Sequence, residues 1–256
     1  MINFQSVLLT IYLFAGAAGV ADAGPDEQET IDPRELPPRV FLRYAQRPFA
    51  QDAWGYFSGI VQHRGEDGAK KIPVDLSVLF KRDLMRAQVV LDETQVYDIT
   101  LVYLDRERPQ ITIAEPQPRA GKASLADLGI YPRDITFSFL YWDFVEERNE
   151  TEKVRGQECR IMTLADPGSD KIAIVWFSAK YLFPLKVKSF PKSEPQQIRQ
   201  LEFTDFKKNK DLWYIKALRL EGDGWKTRVN FKKAELALTE DTPPPANLFA
   251  PDVRAE

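Results

Sequence analysis

His63 and Cys159 are the only histidine and the only cysteine in the chain. A thiol activated by an imidazole would be a nucleophile for acyl transfer, but it needs a third group to orient the ring and a pocket for the substrate. The sequence around them offers neither. His63 stands just before the polar turn Arg64-Gly65-Glu66-Asp67-Gly68, where a solvated strand-end residue is the plainer reading. Cys159 alternates with Ile161 and Thr163, the pattern of a buried structural thiol. One histidine and one cysteine also exclude most zinc sites, any internal disulfide, and every Ser–His–Asp arrangement that does not use His63.

Other chemistry is thinner still. Carboxylates such as Glu146-Glu147, Asp166 and Asp170 flank turns and read as solvated; no calcium-loop spacing appears. Glu221-Gly222-Asp223-Gly224 is an acidic hairpin turn, not a phosphate cradle. Lys207-Lys208-Asn209-Lys210 and Lys232-Lys233 read as lysines that guard sheet edges. Basic and acidic residues nearly cancel, 35 against 38, so there is no net basic face for nucleic acid. The expectation is a protein that is not an enzyme, with no catalytic residue, no metal and no cofactor.

The residues that remain informative are apolar. The chain has 16 Phe, 9 Tyr and 5 Trp among 256 residues, enough to fill a core and still line a cavity. Short runs of period-2 alternation place them. In 72–80, Ile72, Val74, Leu76, Val78 and Phe80 share one face. Tyr97, Ile99, Leu101 and Tyr103 do so in the next clear run, Ile172, Ile174 and Trp176 in 171–178, and Trp225, Thr227, Val229 and Phe231 in 225–233. Further strands are expected at 54–63, 84–91, 110–115, 154–164, 184–190, 197–206 and 212–220, joined by turns rich in Gly, Pro and Asp. So many strands with so little helix predict a mainly β fold: an antiparallel sheet that curls, with a concave face to be filled by side chains or by side chains and a ligand.

Two segments interrupt the strands. A short amphipathic helix is expected at 39–49, ended by Pro48. Between the strand sets, 135–144 reads ITFSFLYWDF, seven of whose ten residues are large and apolar. Its pattern fits a strand as well as a helix; Asp134 as an N-cap favours helix. Just upstream, Ser124 and Asp127 have capping-box spacing, and Pro132 would end what they begin. This aromatic insert is the natural lid or plug for the concave face.

At the amino terminus, VLLTIYLF at 7–14 has the length of a signal-peptide core, and Ala21-Asp22-Ala23 fits a cleavage site, although no Lys or Arg precedes the apolar run. A buried first helix is the alternative. The expected organisation is a signal peptide at 1–23, a flexible acidic Pro-rich leader at 24–38, one domain at 39–251, and a tail at 252–256. Export without disulfides points to a bacterial periplasm.

The order of elements, together with VRGQECRIMTLADP, KIAIVWFSAKYLFPLKVKSF and RQLEFTDFKKNKDLWYIKALRL, resembles the LolA-like superfamily, in particular outer-membrane lipoprotein-sorting proteins. The resemblance spans about 39–251 and is most specific at 154–220. It implies an incomplete β-barrel wrapped around helices, with the aromatic insert as lid, and an apolar cavity that carries lipid or lipoprotein acyl chains. The insert departs from the family pattern, lacking its glycine and its close acidic pairing. The expected cavity residues are Leu76, Val78 and Phe80 on one strand and Ile99, Leu101 and Tyr103 on another. Phe137, Phe139 and Trp142 belong to the insert, Ile174 and Trp176 to the second strand set, and Val229 and Phe231 to the last strand. Arg43 on the leading helix is the expected lid latch. The expected partner is an acyl chain, with an envelope protein as a further partner and the chain itself a monomer. The alternative is a sensor or protein-interaction module with the same fold and a filled interior.

Overall fold

The computed structural model describes residues 32–46, 51–103, 109–115, 122–210 and 212–249. The expected signal peptide, most of the leader and the final tail lie outside the described residues. Among those described, no helix is long and apolar enough to cross a membrane.

Thirteen strands form one antiparallel sheet. They are β1 (Ala53–Gly65), β2 (Gly68–Phe80), β3 (Leu84–Leu91), β4 (Gln95–Val102), β5 (Gln110–Ala114), β6 (Asp143–Glu147), β7 (Glu152–Val154), β8 (Gln157–Ala165), β9 (Lys171–Ser178), β10 (Pro184–Pro191), β11 (Arg199–Asn209), β12 (Leu212–Gly222) and β13 (Trp225–Leu238). The spatial order is β5-β4-β3-β2-β1-β13-β12-β11-β10-β9-β8-β6, with β7 also on β8. Each half is a chain of neighbouring hairpins. One long-range pairing joins them, β1 against β13, with Phe57 opposite Ala234 and Val61 opposite Val229. The sheet stays open between β5 and β6, so it is an incomplete barrel, as the strand pattern and the family resemblance imply.

Cross-strand partners point to the same face, so the register traces the concave side across the halves. Leu101, Met85 and Phe80 stand in one row; Leu76 is opposite Phe57, Val61 opposite Val229, and Val229 opposite Leu218. On the far half the row continues through Leu201, Val187, Val175 and Met162. Most of these side chains are buried in one continuous core.

Helix α1 (Pro38–Ala45) packs on that face. Proline at its first position fits a helix start, and Phe41, Leu42 and Ala45 form its buried stripe. Eight residues are too few for a stable isolated helix, so packing holds it. Phe41 meets Phe177 edge-on at 5.7 Å between ring centroids, and the Arg160 guanidinium lies 4.4 Å from the Phe41 ring. Arg160 also pairs with Glu147 at 2.6 Å and donates to the carbonyls of Pro33 and Leu36. Glu147 is therefore an internal ion-pair partner, not the solvated carboxylate its turn context suggests, and the end of the leader docks on the domain.

On the opposite, convex face the C-terminal segment folds back. There Leu248 packs on Trp54 and Ala237, and the Trp54 indole donates to the Thr242 carbonyl at 2.8 Å. The lysines at 207–210 close the β11–β12 hairpin and Lys232-Lys233 lie on β13. All three strands are interior to the sheet, so these lysines do not guard an edge.

Candidate functional site: an apolar cavity under the insert

The insert between β5 and β6 is neither one helix nor a strand. It runs through a 3₁₀ turn at Ala126–Leu128, helix α2 (Pro132–Thr136), a second 3₁₀ turn at Ser138–Tyr141, and extended Trp142 leading into β6. The Ser124–Asp127 capping pair forms as its spacing predicts, each backbone N–H bonded to the other's side chain. Asp134 is not an N-cap. It lies inside the first turn of α2, where its carboxylate accepts from the Tyr131 N–H at 2.7 Å. Phe137 ends α2 in the left-handed region, φ 53°, an uncommon conformation for a bulky residue. It is held there by stacking on Phe203, 5.1 Å between centroids, and by edge contact with Phe183.

Below the insert lies a cavity of about 70 Å³ that is partly open to solvent. Its floor comes from both halves of the sheet: Val61, Val74, Leu76, Val78 and Val89 on one side of the β1–β13 seam, and Phe203, Ile215, Leu218, Leu220, Val229 and Phe231 on the other. Leu125, Ile130, Asp134, Ile135 and Phe137 form the roof. The Asp134 carboxylate is the one ionisable group in this lining.

Three polar ties hold the roof down. Arg199, on the concave side of β11, pairs with the buried Asp134 carboxylate through both nitrogens and donates to the Gly129 carbonyl at 2.6 Å. Thr227 on β13 donates its hydroxyl to the Leu128 carbonyl at 2.5 Å. Its remaining acceptor capacity takes Nδ1–H of His63 at 2.8 Å, which fixes the neutral imidazole tautomer. At the other end, Gln46 donates to the Leu140 carbonyl and Tyr141 donates to the Gln46 carbonyl at 2.8 Å. Gly129 shows how closely roof and sheet fit: φ is +68°, and an added Cβ would stand 2.2 Å from the Trp225 ring.

The expected cavity residues divide accordingly. Leu76, Val78, Phe137, Val229 and Phe231 meet around the cavity. Phe80, Ile99 and Leu101 are buried on the same concave face but away from it. Tyr103 packs its ring against Tyr141, 5.7 Å apart, and burial pushes its phenol up to about 12. Phe139 and Trp142 are buried beyond the cavity, because the 3₁₀ turn carries them past the roof. Ile174 and Trp176 are on the other side of the sheet. Their neighbours Val175 and Phe177 face the core, while the Trp176 indole donates to Glu152 at 2.9 Å and lies under Lys186. Arg43, the expected latch, is exposed on α1; the arginine that pairs with the insert is Arg199. Leu125, Ile130 and Ile135 were not legible as roof, because the insert changes backbone type several times and shows no single period.

The two chemistry-bearing residues are not brought together. His63 is bonded to Thr227 and stacks near Trp225 at 6.2 Å. Cys159 is six strands away in the sheet order, buried, with its thiol pushed up by burial. Among the described residues, no group of His, Cys, Asp or Glu could hold a metal ion.

No family model matches the sequence, and no curated protein matches it. Solved structures do. A domain from Vibrio parahaemolyticus assigned as an outer membrane lipoprotein-sorting protein superposes with a TM-score of 0.54 at 16% identity, over 82% of this chain and 94% of that one. A DUF1329 family protein from Desulfovibrio piger superposes with a TM-score of 0.55 at 16% identity, over 77% and 89%. The open antiparallel sheet closed over by a short helix and an aromatic insert is thus the fold of these two solved structures.

Proposed function

We propose that this protein is a periplasmic carrier that binds lipid or lipoprotein acyl chains, without catalysis, in the cavity between sheet and insert. The observation that carries the reading is the cavity itself: apolar floor strands from both halves under a roof whose only ionisable group is already paired. Such a lining offers water almost no hydrogen-bond partners, and each methylene moved into it from water gains about 0.8 kcal/mol. The binding needs no nucleophile and no metal. Similarity of fold to lipoprotein-sorting domains supports the same reading.

At about 70 Å³ the resting cavity is well under the roughly 150 Å³ that accepts benzene in an engineered protein core. A long acyl chain therefore requires the roof to shift, and the roof is tied mainly by polar contacts that water can replace. The same small volume favours the second reading, an envelope sensor or protein-interaction module whose interior is filled by its own side chains. Native mass spectrometry of protein purified from the periplasm separates the two. The carrier reading expects a fraction of molecules with bound lipid mass that organic extraction removes; uniformly lipid-free protein that also fails to take up a fluorescent fatty acid refutes it.

A further inference from the structure

Around Tyr131, at the start of α2, lies a group of cations with too few carboxylates. Arg133 on α2 and Arg199 on β11 both face the Tyr131 ring, at 4.6 and 4.8 Å from its centroid. Lys171 starts β9 on the same face of the sheet as Val175 and Phe177, and the charges of both arginines act on its ammonium. Of the nearby carboxylates, Asp134 is committed to Arg199, and Asp166 accepts from the Gly168 N–H and the Ser169 hydroxyl. Three cations against two carboxylates leave one positive charge in excess. Among the described residues, neither Arg133 nor Lys171 has an ion-pair partner. Burial and mutual repulsion pull the affinity of both for their protons down.

A half-buried guanidinium that keeps its donors free, next to a second guanidinium and an ammonium, is suited to a carboxylate or phosphate oxyanion. Its position makes the ligand more specific. Arg133 shares the Tyr131 ring with Arg199, and Arg199 holds the cavity-lining Asp134, so the cation group stands one side chain away from an apolar space. We infer that Arg133, with Lys171 beside it, binds the anionic headgroup of an amphiphile whose hydrocarbon chain enters the cavity. This rests on the acyl-binding reading above and narrows it from any lipid to one with a carboxylate or phosphate near the chain.

Calorimetric titration of the mature protein near pH 7.5 with laurate, dodecanol and inorganic phosphate tests it. The two twelve-carbon ligands share a chain and differ in charge. The expected result is laurate binding about tenfold tighter than dodecanol. That ratio falls towards one in Arg133→Gln and is largely kept in Arg133→Lys, with the thermal midpoint of each unliganded variant showing that it is folded. A ratio near one in the unsubstituted protein, or an unchanged ratio in folded Arg133→Gln, overturns the headgroup site and leaves the acyl-binding reading standing. Phosphate binding without binding of either chain overturns the amphiphile and makes a free oxyanion the ligand. Absence of heat with all three ligands overturns both readings.

Discussion

Arg199 and Asp134 are the side chains on which the roof depends most. Both are nearly excluded from solvent, with side-chain exposures of 13% and 5%. Removing one member of such a pair leaves an uncompensated buried charge, at a cost of about 3–5 kcal/mol. Arg199→Ala is expected to lose about that much in urea unfolding, and more than Arg43→Ala, whose exposed side chain should register within about 0.5 kcal/mol. Equal effects would show that Arg199 does not hold the roof. His63 supplies a pH dependence. Burial, with Lys70 nearby, lowers its proton affinity in the folded state. The unfolded chain then binds the proton more readily, so this contribution is present above the ordinary histidine range near pH 6.5 and is lost as pH falls through it. Urea midpoints measured from pH 5 to pH 8 should rise with pH, and His63→Gln should flatten that part of the curve. An identical slope in the variant would assign the dependence to other groups. Cys159, buried with a raised thiol, should react with a disulfide reagent only after denaturation.

At the scale of elements, strand identity was readable wherever one face is buried and the other wet. The alternation in 72–80 falls within β2, and the expected strand at 84–91 is β3 itself. Reading failed where both faces are covered. In β9, Ile174 and Trp176 alternate as cleanly as Val175 and Phe177 do, because the Trp176 indole is covered on the convex side by Lys186 and Glu152. Period alone cannot say which set faces in. The insert failed for another reason. Its two 3₁₀ turns and its five-residue helix share no period, and Phe137 adopts a left-handed conformation packed against the Phe183 and Phe203 rings. The pairing of Arg199 with the insert could not be identified from sequence, since its partner lies 65 residues away. The close fit at Gly129 predicts that Gly129→Ala should loosen the roof: both its φ and the Trp225 ring oppose a Cβ. Hydrogen exchange should show faster amide exchange at 125–136 in the variant, with β2 and β3 unchanged. Protection at the roof equal to the parent protein would show that the contact is slack.

For the whole molecule, the long-range β1–β13 pairing does two things at once. It joins the halves into one sheet, and it places the cavity across their seam, so that Val61 and Val74 from one half face Val229 and Leu220 from the other. Neither half alone encloses the space, which ties the proposed acyl binding to the complete fold. The curled sheet was legible from turn spacing. The volume left inside was not, because it is a small difference between the space the sheet encloses and the side chains that fill it. That volume is the hinge between a carrier and a filled module, and a cavity-filling substitution addresses it directly. Val229→Phe adds a ring to the cavity floor. In titrations with a fluorescent fatty acid, the parent protein should bind and Val229→Phe should bind at least about tenfold more weakly while keeping its thermal midpoint within a few degrees. No binding by the parent, or equal binding by the two, would contradict an acyl site in this cavity.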